Sequence, residues 1–333
     1  MTSPERCLFV YHPGALGDLI LSLPALAALR TQHISAMHIA TRVDLARFLV
    51  RTKIAEEASD AGSSRYSSLF DENSDSGQDL FFRRFSKAVV FSAKPESTAA
   101  SALLTRIPDT SEILTIPPSG TPMHATAFRF SQTPGNFEKE TPCSSLEIPP
   151  DQMQAAKQLL ESLGLRKNQR LVILHPGSGG RKNWPSENFL ALADALSDSG
   201  IFIAFAAGPA EPLTLKKRIA DYAELRKGRV MLLDNLELEI LAGIFRKSDL
   251  VVGNDSGVSH LAAACGAPTL TIFGPTDPVV WRPIGSCSKI VSSKAGCAPC
   301  EEAHRLCPDQ ICLSGISVAQ IAEQCRLMLS EKS

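Results

Sequence analysis

Short apolar runs alternate with longer amphipathic stretches through the second half of the chain. Residues 170–175, 201–206, 230–232, 250–252 and 269–273 read as strands, and residues 151–163, 186–197, 211–222, 236–246 and 258–265 read as helices before and between them. Alternation this regular predicts a parallel sheet covered by helices. A closing helix is expected over residues 318–329. The rhythm is weaker in the first half. Residues 7–11 are β-like, a turn of small residues follows, and the apolar stretch 19–29 reads as a helix with Pro24 in its first turn, where an N–H is not missed. Strands are expected over 37–41, 87–92 and 112–116, and a helix over 44–53. Residues 61–77 and 117–150 are rich in Ser, Pro, Gly and Asn; the first reads as a loop, the second as irregular structure ending in a linker near 140–150.

A chain of 333 residues is long for one core, so the linker is expected to divide it into α/β domains of residues 1–150 and 151–333. Hydrophobic residues make up 44% and charged residues 21%, as in an ordinary soluble globular protein. A net charge of -1 argues against a dedicated nucleic-acid binder, which carries a basic excess. No apolar run is long enough to span a bilayer, and the start breaks at His12 and Pro13 before it resembles a signal peptide, so membrane contact is expected to be peripheral. Nine cysteines without an export signal suggest a reducing, cytoplasmic setting.

Ligands in parallel sheets sit at the carboxyl ends of the strands, which directs attention to the loops there. In residues 12–24, Gly14 and Gly17 permit a close approach and Asp18 stands at the mouth of a helix. Spacing alone favours Asp18 as an N-cap, worth about 1 kcal/mol, over a general base. In residues 175–185, HPGSGGRKNWP, small residues around Ser178 and Gly179 expose N–H groups while Arg181 and Lys182 add positive charge. That suits a diphosphate, and equally a flexible turn with solvated cations. In residues 251–268, a strand runs into Asn254, Asp255, Ser256 and Gly257 and then a helix whose positive end suits an anion. Asp255 or Ser256 as a simple cap, and His260 as a core histidine, are at least as good readings singly. Trp281 walls a ligand or, more commonly beside proline, simply packs.

Taken together the loops resemble glycosyltransferase family nine, the heptosyltransferases of GT-B architecture. The likeness rests on GALGDLILSLPAL, HPGSGGRKNWP, the glycine-acid turn AAGPAE ending at Glu211, and GNDSGVSHLAAACGAPTLTIFGPTDP, in that order. The resemblance implies two Rossmann-like domains with parallel sheets facing across a cleft, an N-terminal one for the acceptor and a C-terminal one for the nucleotide-sugar donor. It implies transfer of a heptose from ADP-heptose to a lipopolysaccharide core acceptor with inversion, at the cytoplasmic face of the inner membrane. By motif, Asp18 matches the general base and Lys182 the cation on the donor diphosphate. Glu211 matches the acid near the ribose, and Asp255 the acid near the donor sugar. Ser178, Gly179, Ser256, Gly257 and His260 surround the diphosphate; His12 and Gly17 accompany Asp18 on the acceptor side. His12 stands where relatives commonly carry a basic residue, and a histidine there is neutral at pH 7 unless its environment raises it.

No cofactor is implied beyond the donor, and no DxD-like pair stands at a strand end to hold a metal. Cys297, Cys300, Cys307 and Cys312 have a spacing compatible with tetrahedral zinc, although reduced thiols or a disulfide are the commoner outcome. A GT-B transferase using a UDP- or GDP-sugar, and a sugar-nucleotide binding protein without turnover, fit the same loops. An oxidoreductase does not, since no GxGxxG follows a strand.

Overall fold

A computed structural model describes residues 7–31, 36–70, 80–134, 145–178, 180–197, 200–300, 307 and 309–331. The chain separates into two compact units, Met1–Ser144 and Ser145–Ser333.

The first unit runs β1 (Cys7–Tyr11), α1 (Leu16–Arg30), β2 (Ala36–Thr41), α2 (Val43–Arg51), β3 (Glu57–Asp60), β4 (Lys87–Ser92), α3 (Thr98–Leu104), β5 (Thr110–Leu114) and α4 (Ala125–Ser131). Its strands lie in the order β3-β2-β1-β4-β5, and every pairing is parallel. The chain winds outward from β1 through β2 and β3, then returns to the other side of β1 with β4, so the order reverses between β1 and β4. An aromatic core lies on one face, where Phe9 meets Phe82 edge-on at 5.3 Å and Phe85 at 5.2 Å between ring centroids.

Several expectations for this half change. Pro24 lies inside α1, because the helix starts at Leu16 and buries Leu19, Ile20 and Leu23. The strand expected over 112–116 forms two residues earlier, and the loop after Ala61 contains a 3-10 turn over Ser64–Leu69. Of the supposedly irregular stretch 117–150, residues 125–131 form α4, with His124 Nδ1 accepting the Thr126 N–H at 3.2 Å as its cap. Residues 71–77 and 135–144 of those two stretches lie outside the described residues.

The second unit continues with α5 (Pro150–Ser162), β6 (Leu171–His175), α6 (Ser186–Ser197), β7 (Phe202–Ala207), α7 (Leu213–Glu224), β8 (Val230–Asp234), α8 (Leu238–Lys247), β9 (Leu250–Asn254), α9 (Gly257–Ala264) and β10 (Thr269–Phe273). A short α10 (Pro278–Trp281), β11 (Ser288–Ser292), α11 (Ile311–Ser314) and α12 (Val318–Ser330) complete it. The parallel order β11-β10-β9-β6-β7-β8 reverses between β6 and β9. Largely apolar runs make the central strands β6, β7, β9 and β10, which are buried throughout because both sheet faces are covered there, while the edge strand β11 is half exposed. The helix α9 stops where Gly266 adopts φ +77, with Gly266 and Ala267 donating to Ala263 and Ala262 at 3.0 and 3.1 Å. The last helix, α12, lays Ile321, Ala322, Cys325, Met328 and Leu329 into this core and packs against α6. No helix among the described residues is long and apolar enough to cross a membrane.

Candidate active site

In the first unit the loop after β1 carries Asp18 to the carboxyl edge of the sheet, beside the point where strand order reverses. Asp18 does not cap the helix. The N-cap is Ala15, which has no side-chain cap bond, and Asp18 is in the first turn. Its Oδ1 instead accepts a hydrogen bond from Nη2 of Arg129 at 2.9 Å. Arg129 sits on α4, packed against α1, and is fully buried. Its Nη1 donates to the Asp18 carbonyl at 2.6 Å and to Ser22 Oγ at 3.0 Å; Nε and Nη2 donate to the Thr115 carbonyl at 3.0 and 2.9 Å.

His12 proves to be a buried strut. Its side chain is at 0% exposure behind the loop, and burial, reinforced by the nearby Arg129 charge, lowers its pKa to about 4. Ser22 Oγ donates its single proton to the Asp18 carbonyl at 2.8 Å, so His12 Nε2, 3.1 Å away, must be the donor to it. The imidazole is therefore the neutral Nε2–H tautomer. In this position the ring supports the Asp18 loop from behind through Ser22. Gly17 lies half-buried in the first turn of α1. Two cavities open at the same sheet edge. One of about 610 Å³ includes Phe91, Lys94 and Glu96, one of about 540 Å³ includes Arg42 and Asp60, and both share Tyr11, Pro13 and Phe70.

In the second unit the loops after β6, β9 and β10 meet at Asp255, which is 5% exposed. Lys182 Nζ donates to its Oδ2 at 2.9 Å and Thr276 Oγ1 donates to the same oxygen at 2.7 Å. Asp255 immediately precedes Ser256, the N-cap of α9, whose Oγ accepts the Ser259 N–H at 3.4 Å. Gly257 and Val258 are thus the first helical residues, whose N–H groups have no intrahelical acceptor and face the positive end of the dipole. His260, one turn on, is buried. Asn254, at the end of β9, pins both ends of the loop after β6: Oδ1 accepts the Trp184 N–H at 2.9 Å and Nδ2 donates to the Pro176 carbonyl at 2.8 Å.

Glu211 follows β7 and is nearly buried, its Oε2 accepting the Gly208 N–H at 2.6 Å. A Cβ on Gly177 would overlap the Glu211 carboxylate, so glycine is needed there to seat it. Beside it His175 donates Nδ1–H to the Ala206 carbonyl at 2.9 Å, and burial lowers its pKa against the opposing pull of Glu211. Ser178 is bonded to Asn183, and Arg181 is turned to the Cys307 carbonyl at 2.8 Å, so of the two loop cations only Lys182 is directed at Asp255. Gly179 lies outside the described residues.

Sequence reasoning missed Arg129, Asn254 and Thr276. Arg129 falls in a stretch read as irregular, and only its place between two phenylalanines in HATAFRF hints at a buried cation. Trp281 is half-buried on α10 and does not join the core. Cys297, Cys300, Cys307 and Cys312 are all free thiols. Among the described residues no group of three or more His, Cys, Asp or Glu side chains stands in metal-holding geometry, although Cys297, Cys300 and Cys307 lie near enough to Cys312 to add to the burial that raises its pKa.

Two doubly wound parallel sheets, each with polar side chains at its reversal point, define an α/β architecture of the GT-B type. The chain matches solved structures of that fold over nearly its whole length. Against the glycosyl transferase family 9 from Veillonella parvula DSM 2008 the TM-score is 0.79 at 20% identity, covering 99% of both chains. Against the E. coli ADP-heptose lps heptosyltransferase II the TM-score is 0.75 at 16% identity, covering 98% of this chain and 99% of that one. In sequence it is 34% identical to lipopolysaccharide heptosyltransferase 1 of Escherichia coli (strain K12) over 126 residues, a match spanning 37% of each protein. The profile of Glycosyltransferase family 9 (heptosyltransferase) matches residues 110–309, and the chain belongs to that family.

Proposed function

We propose that the chain is an inverting glycosyltransferase that moves a heptose from ADP-heptose to a lipopolysaccharide core acceptor without a metal cofactor. The observation that carries this reading is the placement of Lys182 against Asp255, one residue before the N-cap of α9, in a member of the heptosyltransferase family. A leaving nucleoside diphosphate needs dispersed positive charge. Lys182 and the first N–H groups of α9 supply it as a preorganised set, the role a divalent ion plays elsewhere. Glu211 holds the ribose, Asp255 faces the sugar, and Ser178, Ser256, Gly257 and His260 complete the donor site.

On the acceptor side Asp18 takes the proton from the attacking hydroxyl. That oxygen bonds to the anomeric carbon from the face opposite the diphosphate. The bond to the diphosphate breaks and ADP leaves with its electron pair. The cavities around Tyr11 and Phe70 suit a saccharide, combining aromatic faces with charged side chains. The lipid-linked acceptor places the protein peripherally at the cytoplasmic face of the inner membrane.

Nucleotide release measured over a panel of donors tests the reading. ADP-heptose is expected to be turned over; activity with UDP-sugars and none with ADP-heptose would overturn the donor assignment. Asp18→Asn should lower kcat by about 100-fold or more with the donor KM little changed, the usual size of a lost general base. Lys182→Ala should raise the donor KM as well as lower kcat. Full activity in either variant removes that residue from the mechanism.

A further inference from the structure

The guanidinium of Arg129 has every donor committed. Nε–H and one Nη2–H go to the Thr115 carbonyl, the second Nη2–H to Asp18 Oδ1, and the two Nη1–H groups to the Asp18 carbonyl and Ser22 Oγ. A guanidinium has five such protons in a fixed planar fork, so the acceptors around it fix its plane completely. Among the described residues this buried cation pairs with one carboxylate, that of Asp18, whose side chain is 40% exposed. The pair is thus half in the core and half at the surface of the loop. One carboxylate oxygen is held from behind, and Oδ2 accepts no hydrogen bond among the described residues.

We propose that Arg129 is a positioning residue for the transfer reaction: by gripping both the carbonyl and Oδ1 of Asp18, it fixes the carboxylate so that Oδ2 is the oxygen presented to the acceptor hydroxyl. This rests on the reading of Asp18 as the general base. Ser22 belongs to the same device. It accepts from Arg129 and His12 and donates to the Asp18 carbonyl, so the main chain of Asp18 is anchored as well as its side chain. A proton-taking oxygen is effective only when aimed at the hydroxyl within hydrogen-bond reach, and an error of about 1 Å can cost 100-fold in rate. Burial lowers the Arg129 pKa and the Asp18 carboxylate counters it, which keeps the cation charged and the pair intact.

The experiment is a double-mutant cycle read by steady-state kinetics with ADP-heptose and acceptor, on full-length protein. Arg129→Lys keeps the charge and loses the fork. It is expected to lower kcat by about 10- to 100-fold with the donor KM unchanged. In the Asp18→Asn background the same substitution should have no further effect on kcat, whereas a general structural defect would cost the same factor in both backgrounds and would overturn the proposal. If Asp18→Asn itself retains full activity, the base assignment has failed. If Asp18→Asn is impaired and Arg129→Lys is not, only the positioning role has failed. Should Arg129→Lys not fold, as judged by circular dichroism, Ser22→Ala carries the test. A fall in kcat of about three- to tenfold, absent in the Asp18→Asn background, supports the device, and an unchanged kcat overturns it.

Discussion

A glycine and an acid far apart in sequence show how tightly the second unit's site is built. Gly177 lies where any Cβ would collide with the Glu211 carboxylate, and its Cγ would stand at only 2.8 Å. Gly177→Ala must therefore displace Glu211. We expect ADP to bind about 10-fold more weakly, which is about 1.4 kcal/mol, and the unit to lose about 1–3 kcal/mol of stability from the overpacked contact. Calorimetric titration with ADP checks the first figure; unchanged affinity would take Glu211 out of the nucleotide site. The motif AAGPAE pointed to Glu211, but the seat made by Gly177 was illegible, because it depends on a contact between two strand-end loops. Asp18 teaches the same lesson. Capping chemistry is local and can be read from spacing, so the helix mouth suggested a cap. Its actual partner, Arg129, is far along the chain, and no local pattern announces such a pairing.

At the scale of elements, Asn254 links the loop after β6 to the end of β9 across the reversal of strand order. Its amide serves one N–H and one carbonyl at once, and it is fully buried. Asn254→Ala leaves both backbone groups unsatisfied, so we expect a loss of about 2–4 kcal/mol in urea unfolding of the purified protein. Asn254→Asp should be no better, since it turns a carboxylate toward the Pro176 carbonyl. A midpoint unchanged in both variants would show that the loop after β6 does not depend on this clamp. The second sheet was legible where its strands β6, β7, β9 and β10 are buried on both faces and read as largely apolar runs, whereas its edge strand β11, SKIVS, is half exposed, carries no such signal and was missed. The first sheet was less so. The edge strand β3, EASD, has no apolar signal, and α4 is short and lies among prolines and serines. Pro24 misled for a different reason: proline marks a helix start by propensity, yet the buried face of α1 is strong enough to carry it in the interior.

For the whole molecule, buried histidines set a direction for acid sensitivity. His12, His38 and His175 all have pKa values lowered chiefly by burial, in the case of His12 from 6.5 to about 4. A lowered pKa in the folded state means that the unfolded chain takes up the proton first. The stability these neutral rings contribute is therefore complete above pH 6.5 and is lost as pH falls toward 4. For His12 the loss between pH 7.5 and 4.5 is roughly 2 to 3 kcal/mol. Denaturant unfolding at the two pH values should show the first unit weakening, and His12→Gln should flatten that fall. An equal slope in the variant would mean that other groups set the acid limit.

Both tryptophans of the chain, Trp184 and Trp281, lie beyond residue 145. Excitation of indole near its red edge therefore observes one half of the protein and is blind to the other. Trp184 is enclosed, with its ring N–H on the Ile316 carbonyl at 2.9 Å, and it follows Lys182 by two residues. An emission change on adding ADP would follow the neighbourhood of that lysine without a label, while melting of the half that carries Asp18 would have to be followed through its tyrosines, Tyr11 and Tyr66.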